Sequence, residues 1–424
     1  MGRLARPEYL AVLVAVAVVA APAAFADEEA TEVPAAEETR SAGNIRDLDD
    51  ENPETKLAKK KDLGLTYVSP GEGFKINAWL RGQFRYSDPF DSDPRTAEDY
   101  ADVPGDDFEV RRGRLKVQGY LFNPKIGFYY EHELTGDRPL LDLRLDVDLP
   151  AGIQMRLGQH KVLYNRERID SSGKQQFVER SISTYAFTVD RQVGATFAKH
   201  FKAGTSLDNW LMLGVNKGNG RGGIDRRNGE PMYLARWNWQ FLGEELPFSQ
   251  SDLKFRQVPA ASISFAAAQV RGPYTRFSSS GGGQLDGFED GGDERYTLRQ
   301  FMQEFAWHYD GMSIQQEIHV KKIEDHQTGA RSTLHGGYAQ FGKLWEVGWS
   351  ERRFALEGAV RVARVDWDTV DPDRVQDEIT LVTNLFIRGH NSKLSAEISE
   401  IRLDNDLTGK DKDVRFRLQW DVSF

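Results

Sequence analysis

Taken every second residue, the stretch Gly73–Ser87 (GFKINAWLRGQFRYS) separates into two sets. Phe74, Ile76, Ala78, Leu80, Gly82, Phe84 and Tyr86 form one set. Lys75, Asn77, Trp79, Arg81, Gln83 and Arg85 form the other. Successive side chains of an extended chain point to opposite faces, so the segment is a strand with an apolar face and a polar, basic face.

The alternation returns along the chain. Leu115, Val117, Gly119 and Leu121 oppose Arg112, Arg114, Lys116 and Gln118. Ile126, Phe128 and Tyr130 oppose Tyr129, Glu131 and Glu133, and Leu141, Leu143, Leu145 and Val147 oppose Asp142, Arg144, Asp146 and Asp148. Further segments fall at 153–157, 191–201, 210–217, 233–241, 263–267, 301–309, 312–320, 333–341, 354–362, 379–387 and 394–398. The last residues, DVRFRLQWDVSF, place Val414, Phe416, Leu418, Trp420, Val422 and Phe424 on one face and Arg415 and Arg417 on the other. Sixteen strands result, an even number. Short turns at Phe122–Pro124, Pro150–Gly152, Tyr309–Met312 and Arg388–Ser392 alternate with long polar connections at 88–107, 160–190, 217–231 and 271–297. The segment Leu242–Pro259 is long for the short-turn side, and Thr135–Pro139 is short for the long-loop side.

Aromatic residues collect on the apolar face near strand ends, as at Phe84, Tyr86, Trp237, Trp239, Trp307, Tyr309 and Trp420. Girdles of this kind mark the two interfaces of a membrane barrel. In lipid every backbone group must pair within the protein, so a spanning sheet has to close. The pattern predicts an all-β fold: a 16-stranded antiparallel transmembrane β-barrel with short periplasmic turns and long extracellular loops. Phe74, Ile76, Leu80 and Phe84 then face lipid, and Arg81 and Arg85 face a water-filled lumen.

The chain ends fit export to an outer membrane. Arg3 and Arg6 precede the apolar run Leu10–Ala21, and Ala24-Phe25-Ala26 reads as a cleavage site, so residues 1–26 form a signal peptide. Residues 27–72 read as an acidic periplasmic extension, largely disordered, and 73–424 as the barrel domain. Residues 27–62 carry 12 acidic and 6 basic side chains. A terminal strand ending in Phe424 is similar to the C-terminal signal of outer-membrane barrels. The formal net charge of −10 argues against a nucleic-acid partner. Cysteine is absent, and the eight histidines show no ligand spacing such as HExxH, so no metal site and no cofactor are expected. No nucleophile–base–orienter set singles itself out, and an enzyme is not expected.

The stretches FEVRRGRLKVQGYLFNPKIGFYYEHEL (108–134) and SSGKQQFVERSISTYAFTVDRQVGATF (171–197) resemble the phosphate-selective porin O and P family. GGYAQFGKLW, ALEGAVRVARVDWD and EITLVTNLFIRGHNSKL extend the likeness to the region 73–424. The resemblance implies a 16-stranded outer-membrane porin, usually a homotrimer, whose third extracellular loop folds into the pore. It also implies small anions such as phosphate as solutes.

A pore selects ions with rings or ladders of charge, and Arg and Lys suit phosphate. The lumen face offers Arg81 and Arg85 on the first strand, Arg112, Arg114 and Lys116 on the second, and Arg415 and Arg417 on the last. First and last strands are neighbours in a closed barrel, so these seven residues should form one basic wall. The third long connection carries Lys161, Arg166, Arg168, Lys174 and Arg180 against Glu167, Asp170, Glu179 and Asp190. On the resemblance, Lys161, Arg166, Arg168 and Lys174 are the constriction candidates. Glu131, Glu133, Asp142, Asp146 and Asp148 turn to the same lumen and depart from a uniformly basic path. A general or carbohydrate diffusion porin with a transverse field is therefore the alternative, with Trp79 and Tyr129 as lumen aromatics.

Overall fold

The computed structural model describes Ile45 and residues 63–424, apart from 102–104, 137–138, 223–229, 278–282, 290–291, 293, 350–351, 368–373 and 406–408. Residues 1–26, read above as a signal peptide, and most of residues 27–72, read as an acidic extension, lie outside the described residues. The strands are β1 (Leu65–Val68), β2 (Phe74–Asp88), β3 (Asp107–Leu121), β4 (Ile126–Glu133), β5 (Leu140–Asp148), β6 (Ile153–Lys161), β7 (Arg191–Phe201), β8 (Asn209–Asn216) and β9 (Met232–Leu242). They continue as β10 (Ala260–Gly272), β11 (Tyr296–Tyr309), β12 (Met312–Asp325), β13 (Arg331–Trp349), β14 (Arg352–Asp366), β15 (Arg374–Phe386), β16 (Ser392–Asn405) and β17 (Gly409–Ser423).

Strands β2 to β17 pair with their sequence neighbours, all antiparallel, and β17 pairs back onto β2. The sheet therefore closes as a 16-stranded barrel, and each barrel strand coincides with one alternating segment of the sequence. The short β1, which falls within the stretch read as extension, is additional. It pairs Leu65–Val68 with Lys75–Ala78 on the edge of β2 that β17 leaves free. Phe424 ends the chain just beyond it, exchanging two backbone hydrogen bonds with Leu80 at 2.9 and 3.0 Å. The seam is thus paired to its last residue, as a lipid-embedded sheet requires.

The apolar set points outward. Phe301, Leu381, Tyr233 and Leu418 are exposed on the outer face, while their neighbours Gln300, Thr380, Met232 and Arg417 are buried inside. Trp237 lies 6.1 Å from Trp239 and 6.2 Å from Phe265, and Phe84 lies 6.0 Å from Trp420. Two bulges shift the simple phase. Gln83 pairs with Arg112 and Phe84 with Val110, so Arg111 is an extra residue and both arginines serve the inner side. Glu131 pairs with Asp142 and His132 with Leu140, which leaves Leu141 over. Leu141 is buried, although the alternation assigns it to lipid.

Inside, the barrel is not uniformly wet. Val162, Tyr164, Ile182 and Phe187 of the third long loop, here L3 (162–190), are buried against inward residues such as Leu234, Ala268, Leu298, Ile323, Leu334 and Val365. The expectation of a water-lined inner face is corrected on this side: these positions are apolar because a loop covers them. The long connection between β9 and β10 also turns inward, burying Leu246, Phe248, Gln250, Asp252 and Arg256. That accounts for its length on the short-turn side.

Placing a charge on the outer face at mid-strand should be costly. Leu381→Arg on β15 is expected to lower stability by about 2–4 kcal/mol in equilibrium unfolding from lipid vesicles. No loss would mean this face does not meet hydrocarbon.

Candidate functional site: the lumen and its inward loop

L3 leaves β6, crosses the lumen and returns to β7. It contains two short helices, α1 (Arg166–Ile169) and α2 (Ser183–Phe187). Such short helices have little stability of their own. What holds the loop is a set of inward carboxylates on the far wall. The backbone N–H of Arg166 donates to Glu304 at 3.0 Å, that of Glu167 to Glu317 at 2.7 Å, that of Val178 to Glu397 at 2.8 Å and that of Ile182 to Glu378 at 2.9 Å. The Gln176 amide donates to Glu357 at 2.7 Å. In return Asn384 and Lys393 donate to the carbonyls of Gln176 and Gln175, at 2.7 and 2.6 Å. Hydrogen bonds to ionised acceptors are about twice as strong as neutral ones, and these are buried from water.

Glycines let the loop approach closely. A Cβ on Gly336 would lie 2.5 Å from the Phe187 ring and 2.8 Å from the Arg364 carbonyl. One on Gly173 would lie 2.6 Å from the Arg81 guanidinium. From the periplasmic side the 243–259 segment meets the loop. Gln250 accepts from the Gln176 N–H at 2.8 Å, and Arg166 donates to the Pro247 carbonyl. Ile45 packs in an apolar cluster with Leu163, Ile169, Trp210, Met212 and Phe248. Leu63 covers Trp79 and Tyr129.

The seven wall residues fall into groups centred on acids. Arg85, Arg112 and the bulge residue Arg111 converge on Glu179 of L3, at 2.8, 2.8 and 3.4 Å. Burial pushes the Glu179 carboxyl up, but Arg112, Arg85 and Arg111 outweigh it and hold it well below the usual carboxylate range. Arg114 and Lys116 lie 2.8 and 3.6 Å from Glu131, and Arg191, at the start of β7, reaches the same carboxylate at 3.1 Å. Arg81 pairs with Asp421 at 3.0 Å and donates to Ser172 at 3.1 Å. Arg415 pairs with Asp93 at 2.8 Å, and Arg417 pairs with Glu397 behind L3. Register produces much of this: Arg114 stands opposite Glu133, Lys116 opposite Glu131 and Arg417 opposite Glu397.

Of the loop candidates, Lys161 donates to the Ile169 carbonyl at 3.0 Å and Arg168 pairs with Asp190. Arg166 is fully buried on the far side, 3.8 Å from Glu304. Lys174 is buried and forms no ion pair among the described residues. Between L3 and the β3–β4 wall a cavity of about 400 Å³ remains open toward the extracellular side. Eight cations line it, Arg111, Arg112, Arg114, Lys161, Arg168, Arg180, Arg191 and Arg221, against two carboxylates, Glu109 and Glu133. Arg180 donates to two backbone carbonyls, of Glu167 and Asp170, at 2.8 Å each, and forms no ion pair among the described residues. Arg111, Arg191 and Arg221 are not among the site residues read from the sequence, whereas Arg180 is one of the cations read on the third long connection. A bulge, the start of β7 and a loop position bring the first three in; the doublet Arg111-Arg112 before Gly113 is their only local sign.

A closed 16-stranded barrel with an inward third loop and a cation-lined opening narrows the comparison to porins. A family model described as phosphate-selective porin O and P matches residues 80–413. The chain belongs to that family. It is an outer-membrane porin, a channel and not an enzyme. No curated protein sequence matches it. Among solved structures this porin is similar to in-vitro folded OmpT of Vibrio cholerae, with 10% identity, a TM-score of 0.53 and coverage of 84% of this chain and 99% of that one. The outer membrane channel DcaP of Acinetobacter baumannii gives 11% identity and a TM-score of 0.52, over 85% and 100%. An anion-selective porin from Comamonas acidovorans gives 10% and 0.52, over 83% and 100%. At these identities the likeness is one of fold.

Removing one docking carboxylate should release part of L3. Glu378→Ala strips the acceptor of the Ile182 N–H and takes from Arg361 its close carboxylate at 2.5 Å, leaving it Glu167 at 4.0 Å. Breaking a buried pair costs about 3–5 kcal/mol. The expected outcome is a higher, noisier single-channel conductance and protease cleavage within 162–190. Unchanged conductance and resistance would show that the loop does not depend on this anchor.

Proposed function

We propose that this porin conducts small anions, with phosphate-like oxyanions favoured, along the opening between L3 and the β3–β7 side of the wall. The observation that carries the reading is the lining of that opening: eight cations and two carboxylates. Two acids of the region, Glu131 and Asp142, are not part of that lining. Both are almost fully buried, and each is shared with Arg191. Guanidinium groups clustered at hydrogen-bonding spacing can pass an oxyanion from one fork to the next, since each offers parallel donors without holding a bare point charge. Arg112, Arg114, Arg180 and Arg191 are the residues we assign to that relay; Arg81, Arg85, Arg415 and Arg417 shape the wall beside it.

A weakly selective diffusion porin is the second reading, and Arg114 favours it. Its guanidinium is held by both Glu131 and Glu133 at 2.8 Å, so its field is largely cancelled. We further infer export through a cleaved signal peptide at residues 1–26 and assembly as a homotrimer, as the family resemblance implies. One similar structure, OmpT of Vibrio cholerae, is described as a trimer form.

The test is reversal potential and phosphate titration of the chloride current in a planar bilayer. Phosphate should block at sub-millimolar concentration. Arg112→Ala with Arg191→Ala should weaken the block about tenfold, the loss of one charge-assisted hydrogen bond or more. An ohmic current indifferent to phosphate in the parent protein would favour the second reading.

A further inference from the structure

The outer face carries charge as well, in a row near the extracellular ends of β10–β13. Gln269 pairs with Arg299, Arg299 with Lys322, and Lys322 with Thr333. Gln269, Arg299 and Lys322 are exposed, on the side that faces lipid. Directly below them Phe301 stands opposite Val320, and Phe301 is 54% exposed. The row therefore lies where the apolar band ends.

Arg299 and Lys322 are like charges placed directly opposite each other, an arrangement that destabilises a sheet. Neither has an ion-pair partner among the described residues. Glu324, which holds Arg331 at 3.0 Å, also feels the Arg299 charge, and Glu294 lies 3.7 Å from Arg271. The rest of this rim follows a different rule. Arg364 stands opposite Asp377 at 3.3 Å, and Lys410 opposite Asp404 at 3.1 Å. Arg402 and Lys412 are also like charges in register, but Glu400 bridges both. Only at Arg299–Lys322, among these pairs, does no carboxylate of the described residues come within ion-pair distance of either cation; Glu324 acts on Arg299 only through its field.

We propose that this unpaired cation couple takes as its partner the phosphate of a phosphorylated outer-leaflet lipid. Arg299 and Lys322 bind the phosphate, Gln269 flanks it as a neutral donor, and the acyl chains run down over Phe301 and Val320. The chemistry matches at both ends: a guanidinium and an ammonium for a phosphate, an aromatic and an aliphatic side chain for hydrocarbon. An exposed cation pair at the edge of a bilayer gains from an anionic headgroup what it loses by mutual repulsion in its absence. The site is outside the lumen and independent of ion conduction.

The experiment measures the unfolding temperature of the full-length protein and of Arg299→Gln/Lys322→Gln in neutral detergent, with increasing amounts of a bisphosphorylated acylated glucosamine disaccharide. In detergent alone the double variant should be at least as stable as the parent, because the repulsion is gone. With the phosphorylated lipid the parent should gain stability, and the variant should need at least about tenfold more lipid for the same gain. Lys412→Gln, at the internally bridged pair, should respond to lipid as the parent does. Channel conductance of the double variant, unchanged from the parent, reports an intact barrel. Equal lipid responses in parent and double variant would overturn the proposal. So would a matching response to inorganic phosphate alone, which would make the site one for a free anion, or a lipid-independent trimer-to-monomer shift, which would make the row a contact between copies.

Discussion

Backbone amides of L3 seated on buried carboxylates are the interaction on which the lumen depends. Glu304, Glu317, Glu357, Glu378 and Glu397 project inward from β11, β12, β14, β15 and β16. Left bare, they would make that half of the barrel repel anions. With the loop docked, each spends its lone pairs on an N–H or on a neighbouring cation, as Glu378 does on Arg361 and Glu397 on Arg417. The loop therefore does two things at once. It narrows the passage, and it takes the acids out of the permeating ion's view. The cations of the opposite wall remain facing the space that is left.

The same logic explains why so many arginines can be buried together. Burying an isolated charge is prohibitive, and a single buried ion pair barely repays its desolvation. A shared acid changes the balance: Glu179 serves three guanidinium groups and Glu131 serves two with Lys116 beside them. Each group keeps its geometry fixed, while the excess of cations over acids gives the opening its sign. Arg180, held only by carbonyl oxygens, adds charge without adding an acid.

The barrel was legible because lipid imposes a strict rule on strand faces. Period-two alternation, even strand number and the short-long rhythm of connections all follow from closure in a membrane, and they recover β2 to β17 strand by strand. What alternation cannot carry is register. Arg111 joins Arg112 inside because of a bulge, and Leu141 turns inward at another. Nor can it tell which acid neutralises which base, since Glu131 and Lys116 are merely two polar positions until cross-strand pairing sets them opposite. The apolar inner residues of β9–β15 were legible only as interruptions of the polar face. Their cause lies in a loop distant in sequence, so a local pattern could not reveal it. Pro247 and Gln250 meeting L3 is of the same kind, although the unusual length of Leu242–Pro259 was a visible sign that this connection is more than a turn.

The meeting of those two inward segments bears on the order in which the molecule can assemble. L3 enters from one mouth and the 243–259 stretch from the other, and they join at Gln175, Gln176 and Gln250 in the middle. The wall around them is completed by strands β2 and β17, which lie at opposite ends of the sequence, so their pairing carries the largest loop-closure entropy in the fold. A cylinder sealed first would leave both segments to thread into an enclosed space. Internal filling before the final zippering avoids that, with the packed interior serving as a mandrel on which the last seam is drawn shut.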